Sequence, residues 1–309
     1  MEAERAKRIK ELQKEKDVVI LAHYYVDGEV QEIADYVGDS FYLSKVATKV
    51  PQRNILFAGV TFMGESAKIL NPEKTVVMAD ESADCPMAHM VTPERIAEVR
   101  AEHDDLAVVC YVNSTAEIKA VSDVCVTSSN AVRVVKNIPQ KNIFFVPDNN
   151  LGRYVAEMVP EKQFVFHDGF CHVHKSILAA ELRAAKEAQP DALVLTHPEC
   201  TQDVVEMSDF VGSTSEIIDF ATESDAKKFI ICTEMGVFFE LQQKNQEKKF
   251  YSVGHRQFCP NMKKVTIDKV EAVLNQLTAD GKGVEDIVLS DEIIERAGIP
   301  LQRMLELAE

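Results

Sequence analysis

No apolar run in this chain approaches the ~20 residues that a membrane helix needs, so no segment is expected to span a bilayer. Positive charge is in short supply. Thirty-four Lys and Arg face 50 Asp and Glu, a formal net charge of −16. A chain of that sign repels nucleic acid and anionic membrane. The N-terminus MEAERAKRIKELQKEKD lacks the apolar core of a secretory signal and reads as a charged helix. These absences point to the cytoplasm. Glycine and proline are not in excess, and 46% of the 309 residues are hydrophobic, enough for two or three globular domains. Seven cysteines are an odd number, and cytoplasmic thiols stay reduced. They are expected to be core thiols, nucleophiles or metal ligands rather than disulfides.

Apolar β-branched runs alternate with helical stretches throughout: DVVILAHYY, NILFAGV, TVVMAD, LAVVCYVN, NIFFVPD, QFVFHDG, ALVLTHPE, KFIICTE, KFYSVG. Continuous apolar runs between helices predict parallel strands buried on both faces, hence an α/β fold. A longer period lies on top of this one. The strand entering His23 matches the one entering Tyr111, 88 residues on, and the one entering His197, 86 further. Each leads to a helix and a short strand (ADYVGDS, SDVCVTS, SDFVGST), with Asp35, Asp123 and Asp209 at matched offsets. A third helix is expected to begin near Gly64, Gly152 and Gly236, and a fourth strand leads to Cys85, Cys171 and Cys259, spaced 86 and 88 residues apart. The chain then restarts at helix-initiating Thr92-Pro93 and Thr266.

The expected architecture is three pseudo-threefold-related αβα units, each with a four-stranded parallel sheet. Their bounds are 1–88 with 263–309, 89–174, and 175–262, with the C-terminal segment packing back on the first unit. The active site is expected at their common interface.

Function in parallel sheets collects at the carboxyl ends of strands. The repeat places there His23 and Tyr25; Tyr111, Val112 and Asn113; His197, Pro198 and Glu199; the hydroxyls of Ser40, Ser128 and Thr214; and the three cysteines. Three thiolates converging on one axis suit a soft metal centre with an open position. Zinc on the three cysteines plus His89 or His174 is the rival. Cys110, Cys125 and Cys232 sit inside apolar strand runs and read as inert core thiols. Cys200 lies near the site without being an obvious ligand. A lone serine before a helix is ordinarily an N-cap, but three hydroxyls at matched positions read as an anion site made with helix N-termini. His23, Tyr25, Tyr111, His174, His197 and Glu199 are the acid–base candidates. His103, His167, His172 and His255 read as structural.

The motifs AHYYVDGEVQEIADYVGDS, ADCPM, YVNS, CVTSSNAV, CHVH, HPEC, GSTS and CPNMK resemble the quinolinate synthase family, in order and over nearly the whole chain. The resemblance implies condensation of iminoaspartate with dihydroxyacetone phosphate to quinolinate, with loss of phosphate and water, in de novo NAD biosynthesis. It implies a [4Fe-4S] cluster on Cys85, Cys171 and Cys259, and an L-aspartate-oxidising enzyme as the source of iminoaspartate. The family's substrate-binding positions fall on His23, Ser40, Tyr111 to Asn113, Ser128, His197 to Glu199, and Thr214. Tyr25, Tyr111 and Glu199 match its proton-transfer residues, and His174 lies in the stretch by the cluster. Val26 stands where glutamine often occurs, and no extra cysteine follows Cys259, which removes a redox disulfide there. An iron–sulfur dehydratase of another hydroxy acid and a zinc-stabilised anion-binding protein are the alternatives.

Overall fold

The computed structural model describes residues 2–308, so Met1 and Glu309, the outermost residues of the first expected unit, lie outside it. Its framework is three four-stranded parallel sheets. The first holds β1 (Val18–His23), β2 (Tyr36–Gly38), β3 (Asn54–Ala58) and β4 (Thr75–Met78). The second holds β5 (Leu106–Tyr111), β6 (Val124–Val126), β7 (Asn142–Val146) and β8 (Gln163–Phe166). The third holds β9 (Leu193–Thr196), β10 (Phe210–Val211), β11 (Lys228–Cys232) and β12 (Lys249–Ser252). All three share one strand order, β2-β1-β3-β4 in the first. The fold is the α/β architecture that the repeat predicts.

The repeat is visible down to single hydrogen bonds. Asp35, Asp123 and Asp209 each accept a backbone N–H from the middle of the preceding strand: Ile20 at 2.9 Å, Val108 at 2.7 Å and Val194 at 2.7 Å. Each carboxylate ties the entry of an edge strand to its central neighbour. This explains why the aspartates keep their offsets.

The central strands are buried on both faces, as their unbroken apolar runs require. β1 is buried at every position. In the third sheet the alternation of side chains is explicit. Val194, Ile230 and Cys232 enter one apolar cluster, while Leu195, Phe229 and Ile231 enter another. The first two sheets instead share one continuous core.

The third helices begin near Gly64, Gly152 and Gly236 as expected, at Thr61, Asn149 and Val237, and one other expectation is corrected. Gly64 and Gly152 lie inside the helices Thr61–Leu70 and Asn149–Met158, whereas Gly236 precedes Val237–Lys244. The glycines are therefore not equivalent. Gly236 is there because a Cβ would meet the Tyr24 carbonyl at 2.6 Å and Tyr25 Cα at 2.7 Å. The C-terminal segment reaches beyond the first unit. The helix Ile267–Gln276 packs on the N-terminal helix, but Asp291–Leu307 lies against the helices Thr61–Leu70 and Ala116–Ala120 and against β6. Its buried stripe of Ala297, Leu301 and Met304 seals the seam between the first two sheets.

Candidate functional site

The carboxyl ends of the three sheets face one cavity. The first unit contributes His23, Tyr25, Ser40 and Cys85 to its wall. The second contributes Tyr111, Asn113, Ser128, Cys171 and His174, and the third His197, Glu199, Thr214 and Cys259. Val112 and Pro198 lie beside these residues in the chain. Val112 is buried and gives its N–H to Val126. Pro198 sits within a turn closed by Cys200 N–H on the His197 carbonyl.

The hydroxyls are freed from capping by their neighbours. Asp39 and Ser213 are the N-caps of the helices that begin at Ser40 and Thr214, the latter in a full capping box. Ser40 and Thr214 therefore stand at the first helical position and line the cavity. Ser128 lies two residues before the N-cap Asn130 and pairs with His197 Nε2 at 3.2 Å.

His23 and His197 share one device. The ring Nδ1 of each accepts the backbone N–H two residues on, from Tyr25 at 3.1 Å and from Glu199 at 3.3 Å. That fixes the tautomer with hydrogen on Nε2. Burial then holds both rings neutral, with values lowered to about 3. His197 Nδ1 also lies 3.7 Å from Glu199 Oε2, but between a neutral ring acceptor and a carboxylate this is not an ion pair.

Glu199 is buried, which raises its value. The His174 ring, 2.5 Å from Oε2, outweighs burial and holds the carboxyl below its usual range, with help from the Tyr111 phenol. Burial and the Glu199 charge push the Tyr25 and Tyr111 phenols well up, so both remain donors at neutral pH. Glu199 Oε1 and Asn113 Oδ1 are buried without a hydrogen-bond partner among the described residues. Both are acceptors in a cavity wall, placed to meet a ligand's donors.

All seven cysteines are free. Cys110, Cys125 and Cys232 are buried within β5, β6 and β11. Cys200 is buried too, its thiol on the Cys232 carbonyl at 3.4 Å. Cys85, Cys171 and Cys259 differ. They are half-buried and reach the cavity. Cys85 and Cys171 cap short helices. Nearby backbone N–H groups favour the thiolate at each: Met87 and Ala88 beside Cys85, His174 beside Cys171, Met262 and Asn261 beside Cys259. Such donors stabilise thiolates.

Burial opposes this and raises all three thiols, Cys85 to about 12, and the sulfurs add to one another, Cys259 on Cys85 and Cys85 on Cys171. Mutually repelling sulfurs beside backbone N–H groups fit a cation that replaces their protons, so the donor set suits a soft metal centre. His89 is exposed and pairs with Asp84 at 2.6 Å, whereas the donor atoms of Cys171, His174 and Glu199 lie within 4.8 Å of one another.

The sequence reading missed the groups that hold these cysteines. Each cysteine N–H donates to a carboxylate: Cys85 to Asp84 at 2.8 Å, Cys171 to Asp148 at 3.0 Å, and Cys259 to Glu234 at 2.9 Å. Asp148 and Glu234 occupy matched places after NIFFV and KFIIC, where the first unit has Val60. The matched offset from the third strand of each unit is the signal in the sequence that marks them. Lys263 was also missed. It joins Glu234 (3.5 Å) to Asp27 (3.2 Å) and donates to the Tyr25 carbonyl at 2.9 Å.

Fold and site together define an α/β protein in which three equivalent sheet ends face one cavity. The chain belongs to the quinolinate synthetase A family: the model described as "NadA: Quinolinate synthetase A protein" matches residues 7–306. It is similar to the quinolinate synthase of Fusobacterium nucleatum, 53% identical over 97% of this chain and 98% of that one. The Caldicellulosiruptor saccharolyticus quinolinate synthase is 49% identical over the full length of both, and that of Clostridioides difficile 46% identical over 98% and 97%. No described helix is long and apolar enough to cross a membrane.

Proposed function

We propose that this chain condenses iminoaspartate with dihydroxyacetone phosphate, releasing phosphate and water and forming quinolinate for de novo NAD biosynthesis in the cytoplasm. An L-aspartate-oxidising enzyme supplies the imine. The observation that carries the reading is the meeting of three cysteines, three helix-end hydroxyls and the Glu199 group in one cavity. Cys85, Cys171 and Cys259 would hold a [4Fe-4S] cluster, which supplies a Lewis-acidic iron with an open position when bound.

The chain's own groups have complementary tasks. Ser40, Ser128 and Thr214, with helix N–H groups, bind the carboxylates and phosphate of the substrates. In a chain of charge −16 this supplies the local positive potential that anions need. His23 and His197, neutral with hydrogen on Nε2, donate hydrogen bonds without carrying charge. Asn113 orients the bound molecules. Glu199 accepts protons at Oε1, its unpartnered oxygen, and Tyr25 and Tyr111 donate them as phenols. His174 holds the Glu199 carboxylate in place.

The test is anaerobic purification, a visible spectrum, iron and sulfide analysis, and an assay for quinolinate from the two substrates. A brown protein that forms quinolinate is expected. A colourless, iron-free, zinc-bearing protein would reject the cluster. A brown protein turning over a hydroxy acid alone would assign it to the dehydratases.

A further inference from the structure

Lys119 lies in the short helix Ala116–Ala120 and is fully buried. Its ammonium donates to two main-chain carbonyls, that of Ser114 in its own unit at 2.5 Å and that of Phe62 in the first unit at 3.4 Å. It also lies 5.5 Å from the centre of the Phe62 ring. It pairs with no carboxylate among the described residues. The Glu65 carboxyl feels its charge: burial raises that group, and Lys119 opposes the rise. Glu65 Oε2, however, is held by the Ala116 N–H at 2.9 Å.

The two other units show what these bonds need. Gln31 and Val205 stand at the positions that match Lys119, at the offsets of 88 and 86 residues. Gln31 is buried, and its Nε2 donates to the Val26 carbonyl at 2.9 Å and to the Gly236 carbonyl of the third unit at 3.1 Å, besides that of Tyr24. Val26 matches Ser114, and Gly236 matches Phe62. Lys119 and Gln31 thus pin two seams alike, each joining the carbonyl five residues back to a carbonyl of the neighbouring unit. In the third unit Val205 has no donor to offer. A neutral amide is therefore enough for the pin. A buried ammonium without a carboxylate costs more than a buried amide, so the charge of Lys119 serves more than the seam.

The cavity is close by. Phe62 lines it, and so does Asn113, the neighbour of Ser114. The ammonium thus stands behind the cavity wall, out of contact with solvent. Lys263, also near the cavity, is matched by Glu234 and Asp27. We propose that Lys119 is a buried cation that attracts the anions bound in the cavity, its charge acting through the wall on their carboxylate or phosphate groups. It touches no ligand. Its burial keeps the field from being screened by salt. This deepens the function proposed above and rests on it for the identity of the anions.

The test compares the cluster-loaded, anaerobically prepared enzyme with Lys119→Gln and Lys119→Met. Glutamine keeps a donor for the carbonyls, as Gln31 does, and removes the charge, while methionine removes both. Kinetics give kcat and KM for dihydroxyacetone phosphate, and calorimetry with inorganic phosphate reads anion affinity without turnover. For Lys119→Gln the expected result is KM and the phosphate Kd both raised roughly tenfold, with kcat within about threefold. The visible spectrum and iron content should be unchanged, and the urea midpoint no lower, because a buried charge without a carboxylate has been removed. Lys119→Met should show the same rise in phosphate Kd and, with the seam unpinned, a lower kcat.

A Lys119→Gln enzyme whose phosphate Kd stays within about twofold of the unsubstituted value overturns the proposal. So does a lower kcat with KM unchanged, which would leave Lys119 as a pin alone. Lost iron or a lower urea midpoint in Lys119→Gln assigns the residue to the scaffold and also overturns it. An unsubstituted enzyme that makes no quinolinate rejects the function proposed above, and the phosphate titration then still decides for or against Lys119.

Discussion

Glu234→Gln tests whether the buried carboxylates hold the cysteine frame. The Glu234 side chain is fully buried. Oε1 accepts the Cys259 N–H at 2.9 Å and Oε2 the Gly236 N–H at 2.6 Å, while Lys263 Nζ lies 3.5 Å away. Burial raises this carboxyl, and Lys263 and the two N–H groups oppose the shift. Glutamine has the same shape but one acceptor oxygen. One of the two N–H groups must then face an amide NH₂. An unpaired buried donor costs about 1–3 kcal/mol, and replacing a charge-assisted bond by a neutral one costs about 1 more. The sum is roughly 2–4 kcal/mol. Urea denaturation of the metal-free chain should show that loss. In the loaded enzyme, a chelator should remove iron at least about tenfold faster, since tenfold corresponds to ~1.4 kcal/mol. An unchanged urea midpoint with unchanged iron release would refute the reasoning. It would mean that the Cys259 backbone is held by packing alone.

Further outcomes follow from the same geometry. Asp148→Asn should weaken iron retention at Cys171 as Glu234→Gln does at Cys259, whereas Asp84→Asn, half-exposed, should do so less; equal effects would contradict the role of burial. Cys85→Ala, Cys171→Ala and Cys259→Ala should each abolish bound iron and visible absorbance, while Cys110→Ala and Cys232→Ala should keep both; iron analysis decides. Asp209→Ala should cost about 1–3 kcal/mol in urea, because the buried Val194 N–H loses its acceptor; a loss under about 0.5 would be inconsistent with it. His23 and His197 fold with values near 3, below the ordinary value of about 6.5. Their contribution is therefore present above pH ~6.5 and is lost as pH falls toward 3, by up to about 1.4 kcal/mol per pH unit for each ring. The pH dependence of stability in His23→Gln should be shallower by that amount between pH 6 and 4, and identical slopes would rule the linkage out.

Much of this protein is written in its sequence. Parallel strands were legible because strands buried on both faces must be apolar at every position, as in Val18–His23. The repeat was legible because one geometric requirement, a carboxylate bonded to the central strand, recurs at Asp35, Asp123 and Asp209. Cys85, Cys171 and Cys259 stood out among seven cysteines by spacing alone. Tertiary structure decided what spacing does not carry. Thr233 lies just after β11 and differs in no local way from any other buried threonine. Its meaning comes from Tyr25 and His174, 208 and 59 residues away in the chain. Gly236 reads as a helix start until the Tyr24 backbone of another unit is found against it. Sequence periodicity reports contacts within one unit, where offsets are fixed. Contacts between units depend on how three sheets meet, and only the folded chain sets that.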